Sequence, residues 1–426
     1  MKIKEDLLHF IWKTQAQKQG IFIGTSKEKI EISNPGFHNH YEGPDFREAI
    51  VKIDGQTWAG NIEIHTKSSD WLLHKHSEDK NYQNVILHVV YWNDKDIYLQ
   101  DGTKLPVIEL RHSIDKSQIE TYQSLMNNAL DIPCQNLIGK IEPIYLSMQL
   151  NQSAVQRLQK KAESWLTKLE EENGDWNSVF YQRLMSNFGF KSNSEPMKLL
   201  AQRIPLKIVQ QYAHQPIQIY ALLFGMAGML NPKAKDDFEK DLFEEFQFLR
   251  SKHKLKSIQD LHWKMVKTRP ANYPSLRIAQ IAELFIKDRM LFSKCLETHS
   301  SKNLINIFKV RAAEYWASHH SFGGKRKKKI DPKIGEKSLH LILINTVAQA
   351  LFSYGIYSKK QEYKERALDL LQMLPPEQNR VTKAFKSYGF ILNSALESQG
   401  VLSLNRDFCK KNACLSCQIG QQLLKS

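Results

Sequence analysis

Two acids eighteen residues apart carry the chemistry this sequence can do. Asp45 sits in Gly43-Pro44-Asp45-Phe46, and Glu63 opens Glu63-Ile64-His65-Thr66-Lys67. On a strand, Glu63, His65 and Lys67 share one face. Two carboxylates at hydrogen-bonding distance repel and desolvate each other unless a cation sits between them. A hard divalent ion, Mg²⁺ or Mn²⁺, suits such a pair, where it can hold a phosphate oxygen and acidify an attacking water. A histidine or lysine along the strand can orient that water or steady the leaving charge, which gives His65 and Lys67 catalytic parts. His74, His76, Asp79 and His88 follow as accessory groups, beside Ser68-Ser69-Asp70-Trp71. His74 and His76 cannot share a helical face at that spacing, so they can serve one ion only from an extended segment or a turn. A hairpin glutamate is ordinarily solvated and a strand histidine ordinarily a core residue. The crowding of seven such groups within 45 residues is what argues for a site.

A second donor set closes the chain. Cys409, Cys414 and Cys417 give C-x4-C-x2-C. That spacing reads as a metal knuckle, spanning 405–420, in a chain whose five cysteines are too few for a disulfide scaffold. Three thiolates suit Zn²⁺, or an iron–sulfur cluster with one more ligand. Cys134 is the leading fourth ligand, with Cys295 or a histidine as alternatives. Lys325-Arg326-Lys327-Lys328-Lys329 is a cationic run that can bind a phosphate backbone, although such runs are commonly solvated loops. Tyr315-Trp316 and His319-His320 precede it and could stack on bases.

The elements that must position these groups follow from periodicity. Residues 4–19 read as an amphipathic helix. Lys29–Ser33, Glu48–Ile53, Trp58–Thr66, Val85–Trp92 and Val107–Leu110 read as strands, with a polar, helix-capable stretch between the fourth and its predecessor. The turn at Asp54-Gly55 decides the site. A three-residue turn pairs Lys52 with Gln56 and Asp45 with Glu63; a two-residue turn puts Asp45 opposite Ile64, on the wrong face. From about 118 onward the spacing is helical: Leu146–Leu169, Ser178–Asn187, Pro196–Gln202, Ile217–Met229, Asp236–Leu249, Pro274–Glu297, Leu304–Ser318, Ser338–Tyr354, Lys360–Leu374 and Val381–Gln399. Arg269-Pro270-Ala271-Asn272-Tyr273-Pro274 and Arg277 read as an ordered loop before a helix.

Charge divides the chain at the same place. Residues 1–115 hold 14 lysines and arginines against 17 acids, and eight of the 15 histidines; the whole chain carries +15, so the remainder carries +18. That balance suggests a polyanionic partner, nucleic acid of either kind. With 42% hydrophobic and 25% charged residues, collagen-like and wholly disordered readings are excluded. The opening MKIKEDLLHFIWK lacks the features of a signal peptide, and no apolar run approaches a membrane span, so a cytoplasmic protein without membrane contact is expected. The expected fold class is α+β: a nuclease-like domain over 1–118, with a mixed sheet, and a basic helical domain over 119–426 ending in the knuckle.

Asp45, Glu63 and His65, on a hairpin in the order helix–strand–strand–strand–helix–strand, resemble the PD-(D/E)xK, or restriction-endonuclease-like, nuclease superfamily. His65 stands where that pattern has lysine. The resemblance implies a sheet of that type, a divalent-metal-dependent nuclease or phosphodiesterase, and Glu5 on the first helix as an extra ligand. Longer stretches resemble a bacterial family designated domain of unknown function 2851. They are Gly43–Phe46, Trp58–His65, Ser68–Trp71, His74-x-His76, Val85–Val90, Arg269-Pro270-x-Asn272-x-Pro274, Asn345-Thr346-Val347 and Cys414-Leu415-x-Cys417-x-Ile419-Gly420. This second resemblance runs nearly end to end and implies no activity. Two rival expectations stand beside the nuclease: a non-catalytic nucleic-acid-binding or scaffolding protein, and a hydrolase of small substrates with histidine-bound Zn²⁺.

Overall fold

A computed structural model of the chain describes residues 3–256, 261–265 and 272–425. Helix α1 (Glu5–Gln19) has Glu5 and Asp6 in its first turn, where acids complement the positive end of the helix, and it stops at Gly20 with φ 69°. Among the described residues seven strands form one sheet: β1 (Ile21–Ile23), β2 (Lys29–Asn34), β3 (Phe37–His38), β4 (Phe46–Ile53), β5 (Gln56–Lys67), β6 (Val85–Trp92) and β7 (Val107–Glu109). Their order is β1-β2-β4-β5-β6-β7, with β3 paired to β4. Pairing is antiparallel up to β5 and parallel across β5, β6 and β7. The apolar run of β6 follows from that: a parallel strand covered on both faces has no solvated side to mark with polar residues.

The β4–β5 hairpin departs from the three-residue turn. Asp54 and Gly55 both have positive φ, 46° and 89°, and Ile53 pairs with Gln56 and Lys52 with Thr57. This is the two-residue turn that Asp-Gly favours. Alone it would send Asp45 to the wrong face. A bulge reverses the outcome: Ala49 pairs with Gly60, but Phe46 pairs with Ile62, one residue out of step. Glu48, at φ 58°, takes up the extra residue. Asp45 therefore comes alongside Glu63.

The connection from β5 to β6 crosses the site. It holds α2 (Asp70–Leu73), whose Trp71 is fully buried and donates from Nε1 to Ser77 Oγ at 2.9 Å. Asp94 pins its start, accepting from Ser69 N at 2.9 Å, Ser68 Oγ at 3.0 Å and Ser69 Oγ at 2.8 Å. Asp70 Oδ2 accepts from Lys67 N and Thr66 Oγ1, both at 2.9 Å.

Packing gathers the chain into two units, Met1–Gln149 with Asn405–Ser426, and Leu150–Leu404. The division expected at 118 therefore falls later, and the knuckle groups with the sheet. Helix α3 (Lys116–Asn127) explains this: Tyr122 Oη donates to Asp6 Oδ1 at 2.6 Å, and Gln118 Nε2 donates to Leu424 O at 2.8 Å. The second unit is helical around a core that includes Phe180, Phe188, Phe224, Phe285 and Trp316. Three of the long expected helices are split. Pro274–Glu297 is Pro274–Lys287 and Leu291–Glu297; Leu304–Ser318 is Ser301–Ile307 and Tyr315–Ser318; Val381–Gln399 is Arg380–Ser387 and a helix starting at Ala395. Arg277 is buried, and its Nη2 donates to Asn272 Oδ1 at 2.5 Å and Ser338 Oγ at 2.7 Å, so it packs the loop before its helix. Arg269, Pro270 and Ala271 lie outside the described residues. The helical stretch Glu336–Tyr357 is long and apolar enough to cross a membrane, but 72% of its most apolar window is buried, as in a core helix.

Candidate metal centre

The bulge lets Asp45 and Glu63 lock together through each other's backbone. Asp45 N donates to Glu63 Oε2 at 3.1 Å, and Ile64 N donates to Asp45 Oδ2 at 2.9 Å. Alternation on β5 turns Glu63 and His65 to one side, where both are buried. His65 is the hub of a histidine chain. Its Nδ1 lies 2.9 Å from His88 Nε2, and its Nε2 lies 3.1 Å from His74 Nδ1. In each pair one ring donates and the other accepts. His74 and His76 converge because Lys75 between them is left-handed, φ 59°, which folds the segment into a turn. Ligand atoms of His65, His74 and His76 all lie within 4.8 Å of one another. Glu63 Oε1 is 3.3 Å from His76 Nε2 and 3.6 Å from His65 Nε2. His76 stacks on Tyr82 with centroids 3.8 Å apart.

Sequence reasoning did not single out His9. It lies one helical turn beyond Glu5, and its Nε2 is 3.2 Å from Asp45 Oδ2, an ion-pair distance without hydrogen-bond alignment. The i, i+4 spacing of Glu5 and His9 was the signal that could have found it. Glu5 lies within electrostatic reach of Asp45, His74 and His9. A cleft of about 640 Å³ opens beside His9, lined by Lys13, His38 and His40 and, opposite in sequence, by Asn412 and Ser416.

The electrostatics are those of a site short of positive charge. Burial, then repulsion from Asp45, raises the Glu63 carboxyl far above the usual range. Burial and Asp45 raise Glu5 too. Burial opposes a charged His9, but the carboxylates of Asp45, Glu5 and Glu63 outweigh it and raise its pKa. The core histidines go the other way. Burial, then the imidazoles of His88, His76 and His74, pushes His65 far below its ordinary value; burial, then His76, lowers His88 to about 3. Burial also lowers His76. Neutral imidazoles beside a carboxyl that resists ionising form a donor set suited to a divalent cation, which would favour the Glu63 carboxylate and keep the imidazoles unprotonated. His76 Nε2 and His88 Nδ1 are buried with no hydrogen-bond partner among the described residues.

The remaining expected residues are placed as follows. Lys67 is exposed at the end of β5, with its ammonium 5.4 Å over the Trp92 ring, so it stands outside the buried cluster. Asp79 is exposed and caps the turn after it, accepting from Asn81 N at 2.8 Å. Lys325 ends a two-stranded ribbon; Arg326 folds back, donating from Nε to His319 O at 3.0 Å; Lys327, Lys328 and Lys329 are exposed. Trp316 is fully buried and Tyr315 stacks on His319, so Trp316 is no platform for a base. Cys134, Cys409, Cys414 and Cys417 are buried thiols in the sheet-bearing unit.

No curated protein and no solved structure matches the chain. One family does, over residues 5–380, a span that takes in the carboxylates, the histidine chain and the Asn345-Thr346-Val347 motif but stops short of the knuckle. The chain belongs to the family described as protein of unknown function (DUF2851).

Proposed function

We propose that this protein is a divalent-metal-dependent nuclease or related phosphodiesterase, built on a core of the restriction-endonuclease-like type. One observation carries the reading. Asp45, just before β4, and Glu63, on β5, each accept from a backbone amide of the other's segment beside buried imidazoles, and the charge of Asp45 opposes ionisation of Glu63 unless a cation joins them. Asp45 and Glu63 would hold Mg²⁺ or Mn²⁺, with Glu5 and His76 in reach of the same point. When bound, the ion would supply Lewis acidity to a phosphate oxygen and acidity to the attacking water.

The chain's own residues do the rest. His65 takes the place of the lysine in the PD-(D/E)xK pattern. It is neutral at physiological pH and sits 3.6 Å from Glu63 Oε1, so it would bring an uncharged imidazole where a lysine would bring an ammonium. His74 and His88 fix its ring from both sides, and hydrogen bonds to both nitrogens allow a proton to pass along the chain. His9 holds Asp45 and borders the cleft, through which a phosphodiester strand would enter. The net +18 of residues 116–426, with Lys327, Lys328 and Lys329 exposed, suits the grip on a nucleic-acid backbone.

The test uses the full-length chain on single- and double-stranded DNA and on RNA, with Mg²⁺ or Mn²⁺. Cutting is expected, and Asp45→Ala or Glu63→Ala should abolish it with the fold intact by circular dichroism. If no substrate is cut with any divalent ion, the enzymatic reading fails. A salt-dependent gel shift that persists with chelator and without cleavage would then favour the binding or scaffolding role. The grouping of His65, His74 and His76 favours one second reading, a Zn²⁺-dependent hydrolase of small substrates. Tight Zn²⁺ at this centre, with turnover of a small phosphodiester but no polymer, would select it.

A further inference from the structure

The C-terminal cysteines form a separate cluster that the carboxylate centre does not use. Cys134 lies 275 positions before Cys409 in sequence, yet its thiol feels the charge of Cys417 and Cys414, and that of Cys409 feels Cys134, Cys417 and Cys414. All four are buried and none is in a disulfide. The fifth cysteine, Cys295, lies in the other unit, with Asp288 and Arg366 as its charged neighbours.

The backbone around the four is built rather than incidental. Ala413 N donates to Phe408 O at 3.0 Å, closing a turn in which Asn412 is left-handed at φ 51°. A second turn follows at once, Cys417 N donating to Cys414 O at 3.1 Å. The amides of Ile419 and Gly420 hydrogen-bond to Cys417 and favour its thiolate. Gly420 presses against Cys414 O, where a Cβ would collide, so glycine is what lets the last helix, Gln418–Lys425, seat on the turn. On the other side, Cys134 O accepts from Leu137 N at 2.9 Å, starting the turn Gln135–Lys140. Four of the five cysteines are thus buried free thiols in one unit, three of them on successive turns at the end of the chain, which is the placement a thiophilic metal uses.

We propose that Cys134, Cys409, Cys414 and Cys417 form one four-thiolate metal centre, holding either a single Zn²⁺ or a [4Fe–4S] cluster, and that this centre shapes a wall of the cleft beside His9. The wall is the knuckle itself: Asn412, Ala413, Leu415 and Ser416 line the same cleft as His9 and His38. The importance of that wall to turnover rests on the phosphodiesterase reading; the metal centre does not. Lys410 and Lys411, next in sequence to Cys409, offset the net negative charge of a four-thiolate site.

The experiment is elemental analysis, with absorption spectroscopy, of untagged full-length protein purified anaerobically without chelator. About one zinc per chain in a colourless protein identifies the single ion; about four iron and four sulfide per chain in a brown protein identifies the cluster. Cys134→Ser and Cys414→Ser should each lower the metal content at least severalfold, while Cys295→Ser leaves it unchanged. Wild-type protein with less than about a tenth of an equivalent of either metal overturns the centre. So does a Cys134→Ser variant that keeps the full content. Should that variant fail to fold, Co²⁺ loading of the wild-type chain decides. The intense thiolate charge-transfer bands of a four-sulfur site support the proposal, and bands of a three-sulfur site overturn it. None of these readouts depends on nuclease activity, so failure here and failure of the enzymatic reading are separate results.

Discussion

Glu63→Gln tests the electrostatic reasoning directly, because it keeps the shape of the side chain and deletes only its charge. Gln Oε1 can still accept from Asp45 N, so the backbone lock survives. In the metal-free protein the glutamate is a burden. Its unfolded-state carboxyl ionises near 4.5, but its folded carboxyl is raised by burial and by Asp45. Each pH unit above 4.5 therefore costs the fold up to about 1.4 kcal/mol until the folded group also ionises. Discounted for relaxation and water entry, about 1–3 kcal/mol is relieved in the variant at pH 7–8, or roughly 2–10 °C in melting temperature for a unit of this size. With metal the order inverts. Losing one buried charged partner costs about 3–5 kcal/mol, which weakens Mn²⁺ binding by roughly 10²–10⁴-fold. Calorimetric melting with and without Mn²⁺, and isothermal titration, read both effects. The expected signature is a crossing: the variant melts above wild type in chelator and below it in saturating Mn²⁺. A variant that is destabilised in chelator yet keeps the wild-type response to metal would refute the reasoning.

Three further outcomes are expected. Glu48→Val puts a β-branched side chain where the bulge needs a left-handed backbone; with the bulge ironed out, Asp45 should move opposite Ile64 and the fully buried Phe46 should lose its place, so metal affinity should vanish, with roughly 2–3 kcal/mol of stability, as read by titration and by denaturant melts. Unchanged metal binding would show that the register does not make the site. Metal affinity in the wild-type chain should rise about tenfold per pH unit between pH 6 and 8, because the ion displaces one proton from Glu63. On the acid side, the lowered pKa values of His65 and His88 mean that their contribution is complete above about 6.5 and is lost as pH falls towards 3, so the metal-free protein should weaken steadily below pH 6; flat profiles over these ranges would contradict the burial argument. Replacing Lys325, Lys327, Lys328 and Lys329 with glutamine should flatten the salt dependence of nucleic-acid binding by about 0.9 for each phosphate no longer neutralised, measured by filter binding from 50 to 200 mM salt. An unaltered slope would assign that run to solvent.

What could be read from the sequence differs by the distance over which each feature is decided. Val85–Trp92 was legible to the residue, because a parallel strand covered on both faces must be apolar throughout. Glu63 and His65 were legible as one face of a strand, since alternation is a local rule. The turn was not, and neither was the bulge that compensated for it. Asp54-Gly55 satisfies two turn types, and the choice depends on pairing further along the strands. Glu48 gives no warning of a left-handed backbone, because that conformation is ordinarily signalled by glycine or asparagine. The split of Leu304–Ser318 was hidden for a similar reason: no glycine or proline marks its break, whereas Gly389, at φ 101°, did mark the break in Val381–Gln399.

The same distinction separates the parts of the candidate site. Residue types named the donors, but their protonation is set by burial and by neighbours that arrive from other elements. His9 comes from α1, His74 and His76 from a crossover folded back at Lys75, and His88 from the neighbouring parallel strand. Together they change what the pair of acids means. Two carboxylates in water are merely two charges. Set beside His65, His76 and His88, which burial disfavours as charged groups, they become a deficit of positive charge that a divalent cation would make up. A lysine at position 65 would have made up part of that deficit with its own ammonium. On the proposed reading His65 leaves it standing and would offer a lone pair, so the departure from the PD-(D/E)xK pattern would shift the centre towards nitrogen-tolerant ions such as Mn²⁺ and Zn²⁺.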